Sequence, residues 1–330
     1  MKTPYEWKSG FAQIIQNYIL FKRQSGLKFE KQERHLRHFD LFCFRNGYDG
    51  VLLTKEMVND FIYDENERPS THRNKEIVMR DFATYLDERG YQAYLIEVKT
   101  QIPRSNFIPK ILTDDEVRRF LTAIDNYPQS HVKMSYRNIV DPVLFRFLYG
   151  TGVRISEALN LILDDVNTDT GIITVHADKN KKDRLIPIAD SLRDRIIAFV
   201  GTFHRFSTGK TCLFPGYRSG STMGQMDKST AYRNFRDYLL MANIPHSAIG
   251  PRIHSFRHGF AVKCLKNWVL ADNDLTVMLP YLAAYMGHSD FRASQYYLRL
   301  TSDLYPEIVR RTEAEFGYVI PESEGIYDEG

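Results

Sequence analysis

Apolar residues recur at helical spacing along most of this chain, and the strict alternation of a strand is confined to one stretch. The segment FAQIIQNYILFKRQ puts Phe11, Ile14, Ile15, Tyr18 and Ile19 on one face, and Leu36, Phe39, Phe42 and Cys43 follow the same rule. Further helices are expected in TKEMVNDFIY and in NKEIVMRDFATYLDERG, the latter stopped by Gly90. By contrast, GIITVHADKNKKDRLIPI reads as a hairpin, with Ile173 and Val175 on one face, a polar turn, and Leu185 and Ile186 returning. The expected fold class is mainly α with a small β-hairpin or sheet (α+β).

At 330 residues the chain is long enough for two cores. Pro103 and Pro109 in EVKTQIPRSNFIPK discourage helix and mark a linker. The expected organisation is a helical domain over 1–98, a linker over 99–110, a second domain over 111–302 and a tail over 303–330. Thr113 opens the second domain as a helix N-cap, with Glu116 completing a capping box. No run of about 18 apolar residues occurs and MKTPYEWKSG is no signal peptide, so a cytoplasmic location without membrane contact is expected. Cys43, Cys212 and Cys264 show no metal-ligand spacing and read as reduced thiols.

The net charge of +3 hides an uneven distribution. Residues 101–300 hold 26 Lys and Arg against 18 Asp and Glu, while residues 301–330 hold 2 against 8. A basic middle suits a polyanionic partner, and an acidic tail is ill suited to touch one. Charge scattered over solvated faces would give a similar count, so the distribution alone decides nothing.

The chemistry is concentrated at four places. Arg154 follows the turn Gly150–Thr151–Gly152 in YGTGVRISEALNL, opening a helix with a stripe of Ile155, Leu159 and Ile162. HSFRH runs from His254 to His258, where Phe256, Phe260 and Cys264 form a stripe for burial and His254 and Arg257 can reach one phosphate together. GHSD places His288 nine residues before Tyr297. A nucleophilic phenol, two guanidiniums and imidazoles are the parts needed to break and rejoin a phosphodiester without a metal. Arginine forks meet the charge that builds on a five-coordinate phosphorus. A phosphotyrosine linkage would keep the energy of the broken bond, so no cofactor is called for.

The four boxes, in this order and at these gaps, resemble those of the tyrosine recombinase family, which includes phage integrases, Xer recombinases and transposon integrases. The resemblance covers residues 105–300 well and the first hundred only in general character. It implies a helical core-binding domain and a catalytic domain closing on DNA as a C-shaped clamp. It implies Arg154, Arg257 and His288 on the phosphate, His254 as acid and base, and Tyr297 as nucleophile. Glu157 and His258 are expected to support them. A catalytic lysine in the hairpin turn aligns on Lys179, although Asp178 and Asn180 stand where the family has glycines, and Lys181 is the next choice. Lys181, Lys182 and Arg184 are read as DNA contacts. The implied partners are double-stranded DNA with inverted-repeat half-sites, three further protomers in a tetramer, and an accessory DNA-bending protein.

Alternatives stay open at this level. Arg154 and Glu157 could be an ordinary helix surface pair. Tyr296 competes with Tyr297, and adjacent helical residues point about 100° apart, so only one can attack. His254 and His258 could hold zinc with His288, but Ser255 stands where a metalloprotease needs glutamate, so no metal is expected. A topoisomerase of similar chemistry and a DNA-binding protein that no longer cuts are rival functions. Leu304, Ile308, Val309 and Phe316 in the tail could pack on a neighbouring protomer or on their own domain.

Overall fold

A computed structural model of the chain describes residues 5–102, 109–128, 136–176, 183–216, 224–247 and 250–288, together with 297, 300, 306 and 310. The chain divides into two compact units, residues 1–106 and 107–330. Among the described residues, no helix is long and apolar enough to cross a membrane.

The first unit holds four helices among its described residues: α1 (Ala12–Gln24), α2 (Glu30–Arg45), α3 (Lys55–Ile62) and α4 (Pro69–Asp87). Thr54 caps α3 by accepting from the Met57 N–H, and Pro69 opens α4 at a position where its missing N–H costs nothing. Phe11, Ile15, Tyr18, Phe39 and Phe82 interlock at the centre, with the Phe11 and Phe39 rings 5.3 Å apart in edge contact. Asp40 is fully buried and accepts from the Ser9 N–H at 2.9 Å and the Ser9 hydroxyl at 2.7 Å, which pins the N-terminal segment to α2. Glu76 is equally buried, and accepts from the Tyr63 hydroxyl at 2.7 Å and the Thr100 hydroxyl at 2.7 Å. Both carboxylates have the donors that burial demands.

The second unit runs through α5 (Asp114–Asp125), α6 (Arg137–Thr151), α7 (Ile155–Asn160), a 3₁₀ turn (Leu163–Asp165), β1 (Val166–Asn167), β2 (Ile172–Val175), β3 (Arg184–Pro187) and α8 (Asp190–Phe203). It continues with β4 (Pro215–Gly216), β5 (Gly224–Gln225), α9 (Lys228–Met241), α10 (His254–Leu270) and α11 (Leu275–Met286). The expected capping box opens α5: Thr113 and Glu116 exchange bonds at 3.1 and 2.8 Å. The core packs Phe120, Phe145, Phe147, Phe214, Phe235 and Phe256 between α5, α6, α9 and α10. Asp141 of α6 lies inside it and accepts from Asn234 and Tyr238 of α9, each at 2.8 Å.

The small sheet has the order β1-β2-β3, all antiparallel, with Ile173 opposite Ile186 and Val175 opposite Arg184. The expected hairpin is present: Ile173, Val175 and Ile186 face the core, and Leu185 is 64% exposed, because neighbouring strand residues point to opposite faces. Two helical stripes are corrected. The helix after Arg154 ends at Asn160, so Ile162 lies beyond it, and burial falls on Ala158, Leu159 and Leu161. In α10 the deep positions are Ser255, Phe256, Arg257, Ala261, Val262, Leu265 and Val269, while Phe260 and Cys264 are half-buried. That helix packs against both α6 and α11, so its buried arc is wider than one i, i+4 row.

Candidate active site

Two glycines in the left-handed region shape the floor of the site. Gly152 (φ 62°) ends α6, and a Cβ there would lie 2.7 Å from the Phe260 ring. Gly287 (φ 63°) ends α11, and a Cβ there would lie 2.9 Å from the Arg184 guanidinium. Only glycine takes this backbone without strain and leaves the room. The first turn delivers Arg154 to the start of α7, and the second delivers His288 beside Tyr297.

Three guanidiniums gather on the C-terminal end of α11. Arg184 donates from Nε to the Tyr285 carbonyl at 2.9 Å, and Arg154 donates to the Gly287 carbonyl at 3.3 Å. Arg257 donates to the Met286 carbonyl between them, and to the Gly152 carbonyl at 2.9 Å. The last carbonyls of a helix have no partner within it and form the negative end of its dipole, so cations collect there. Glu157 completes the arrangement. It accepts from Arg154 at 2.8 Å and from Arg184 at 2.7 and 3.2 Å. These bonds hold the Glu157 carboxyl below its ordinary pKa against the opposing effect of burial, which is the larger single influence.

Arg257 is 2% exposed. Burial first, then the charge of Arg154, brings its pKa down to about 10, which leaves it charged at neutral pH. Arg154 is more open, with a third of its side chain exposed. Among the described residues, three fixed cations stand against one carboxylate, which leaves surplus positive charge on the side where Arg154 meets solvent.

Tyr297 is 3% exposed and packs with Val262, Leu265, Leu282 and Met286. Its ring lies parallel to His288 at 5.7 Å and tilted against His258 at 5.5 Å. His258 in turn meets His254 edge-on at 4.6 Å. His254 keeps an exposed edge, yet desolvation by the elements packed around it first, then Arg257 and Arg154, pushes its pKa down to about 4. Burial, His254 and Arg257 take His258 to about 3. Both imidazoles are therefore neutral near pH 7.

The His258 shift has a consequence for stability. In the unfolded chain the ring protonates below its ordinary value of about 6.5, while in the folded protein it resists until about pH 3. Its contribution is thus present above about pH 6.5 and declines as pH falls from there. Asp141 works in the opposite direction, because burial lifts its pKa to about 6. Comparing a variant with its parent cancels that background. Melting temperature should fall less steeply between neutral and mildly acid pH in His258→Asn than in the parent; equal slopes would mean the ring titrates normally.

Structure thus brings Arg154, Glu157, Arg184, His254, Arg257, His258, His288 and Tyr297 together in the second unit. Arg184, expected as a DNA contact, has its guanidinium on Glu157 and the end of α11 in the free chain. Nothing in the local sequence marked that role, since its partners lie 27 and 101 residues away. Lys179, Lys181, Lys182, Tyr296 and the tail positions Leu304, Ile308, Val309 and Phe316 lie outside the described residues. Among those described, no group of three or more His, Cys, Asp or Glu side chains could hold a metal ion.

An arginine cluster and a tyrosine framed by two histidines on this α-rich fold define a class. The pattern of the phage integrase family matches residues 110–303, and the chain belongs to that family. It is a tyrosine recombinase, an enzyme of site-specific recombination. Among particular proteins, it is 30% identical over 287 residues to the tyrosine recombinase XerA of Thermococcus kodakarensis, covering 86% of this chain and 92% of that one. With XerA of Pyrococcus furiosus it shares 24% identity, over 91% of this chain and 94% of the relative. The fold is also similar to that of a lambda integrase dimer bound to a core site, with TM-score 0.62 and 14% identity over 89% of this chain and 77% of that one. The XerH recombinase bound to its difH substrate gives TM-score 0.60 and 19% identity over 82% and 77%.

Proposed function

We propose that the chain cuts and rejoins double-stranded DNA through a 3′-phosphotyrosine, with neither metal nor ATP. The observation that carries this reading is the gathering of Arg154, Arg257 and Arg184 on the end of α11, with Glu157 as carboxylate partner of Arg154 and Arg184. In the first step the Tyr297 oxygen attacks phosphorus and the bond to the 5′ oxygen breaks. The phenol proton leaves with help from a neighbouring imidazole, and Lys179 protonates the departing 5′ oxygen. Arg154, Arg257 and His288 bind the non-bridging oxygens, where preorganised donors act most strongly on the transition state. A 5′-hydroxyl from a second DNA end then attacks the phosphotyrosine, regenerating the phenol.

His254 is neutral in the free protein, and a bound phosphodiester would favour its charged form. That makes it the acid and base of the pair, with His258 supporting it. Tyr297 is buried in this state, so its oxygen meets a phosphate only when its packing against His258 and His288 opens.

We assign residues 1–98 to DNA binding as a core-binding domain, 99–110 to the linker, 111–302 to catalysis and 303–330 to the tail. A solved lambda integrase tetramer is bound to a Holliday junction, and we carry four protomers on paired inverted half-sites over to this chain. The central test is a nicked suicide duplex built from inverted repeats flanking the gene. Covalent adduct should form in excess EDTA, and a requirement for added zinc or magnesium would overturn the proposal.

The same geometry makes Glu157 a positioning group. Glu157→Ala releases Arg154 and Arg184 from their shared carboxylate, and misplacing a catalytic group by about 1 Å can cost on the order of a hundredfold. We expect adduct formation slowed about ten- to a hundredfold with DNA affinity kept. An unchanged rate would show that the arginines need no carboxylate to hold them.

A further inference from the structure

One histidine outside the phosphate cluster is bonded to a carboxylate at each ring nitrogen. His176, the residue after β2, places Nε2 2.7 Å from Asp165 and Nδ1 2.7 Å from Asp183. An ionised carboxylate only accepts, so the two bonds form together only when both nitrogens donate, that is, in the imidazolium. Asp165 is 6% exposed and anchored itself, since its other oxygen takes the Ile162 N–H at 2.9 Å. Asp183 immediately precedes Arg184, and Arg184 stands opposite Val175 in the strand register. His176 therefore ties the start of β3 to a buried turn, one residue from the guanidinium that holds Glu157 and the Tyr285 carbonyl.

We propose that His176 is a positioning residue for strand cleavage: its doubly donating ring fixes the base of the β2–β3 hairpin and so keeps Arg184 on Glu157, and Glu157 on Arg154. The inference rests on the phosphotyrosine reading given above. It adds a residue that touches no substrate and a proton that the chemistry does not itself consume. The ring also joins the two ends of the segment 177–182, which carries Lys179.

Asp183 and Asp165, in that order, raise the pKa of this ring, against a smaller opposing effect of burial. Among the described residues, the charged groups facing it are Asp165 from the 3₁₀ turn and Asp183 leading into β3; the adjacent Asp164 pairs with Lys210 at 3.2 Å. The sign of the pH effect follows. A raised pKa means the clamp is complete below the ordinary histidine value of about 6.5 and is lost as pH rises through the folded value. The ring is more than half exposed, so salt should weaken the clamp.

Adduct formation on the suicide duplex, measured across pH, tests this with the full chain. The ratio of parent rate to His176→Gln rate isolates this ring, because every other ionisable group is common to both proteins. That ratio should be about tenfold near pH 6 and approach one at alkaline pH, with DNA affinity unchanged. His176→Arg keeps a permanent cation able to donate to both carboxylates, so it should restore the rate and hold it constant over that range. A ratio that does not vary with pH, a ratio of one throughout, or an arginine variant as slow as the glutamine variant would each overturn the proposal. Failure of the underlying chemistry looks different, because the parent protein itself would then form no adduct.

Discussion

Tyr297→Phe should bind its DNA site normally and form no covalent protein–DNA complex. The substitution removes one oxygen and leaves a ring of the same size among Val262, Leu265, Leu282 and Met286. Packing against His288 at 5.7 Å and His258 at 5.5 Å does not depend on the hydroxyl, so folding should be nearly unaffected. Without the phenol oxygen no bond to phosphorus can form, so the loss is complete rather than partial. The decisive comparison uses the nicked suicide duplex, with Tyr296→Phe as the control. Adduct formed by Tyr297→Phe and absent from Tyr296→Phe would move the nucleophile to the neighbouring residue. Adduct absent from the parent as well would point to a binding protein without cleavage.

The second large effect is expected at Arg257. Replacing it with alanine removes a preorganised donor, a loss on the scale of two to three orders of magnitude in rate. It also leaves the Gly152 and Met286 carbonyls without their guanidinium, and each buried orphan costs about 1–3 kcal/mol. The alanine variant should therefore be slower and less stable. Arg257→Lys separates the two effects. An ammonium keeps the charge but cannot span both carbonyls with a planar fork, so this variant should regain part of the stability and little of the rate. Denaturant titration reports the first quantity and single-turnover cleavage the second. A folded Arg257→Ala protein that cuts at nearly the parent rate would place this arginine outside the chemistry.

These expectations draw on different levels of the chain. Helical spacing in FAQIIQNYILFKRQ, the capping pair Thr113 and Glu116, and the glycine ending YGTG are local signals. They were legible because their partners lie within a few residues. Arg154, His254, Arg257, His288 and Tyr297 were singled out for another reason: they match, in type, order and spacing, the boxes of the family that the chain resembles.

Local periodicity failed where more than one neighbour sets burial. It drew too narrow a stripe on α10, because α6 and α11 cover that helix from two sides. The inward turn of Arg184 follows from partners 27 and 101 residues away, and the His176 bridge from carboxylates 11 and 7 residues away across a hairpin.

What the sequence by itself determined is the set of parts: which helices form, where glycine must stand, and which side chains are candidates for phosphate chemistry. What only the tertiary structure decided is how those parts are held. Three arginines would repel one another at such range were they not gathered by the carbonyls ending α11 and by Glu157. Those carbonyls belong to every helix and carry no residue signature. Their position, and so the geometry of the site, exists only once α11 has packed against α10 and β3.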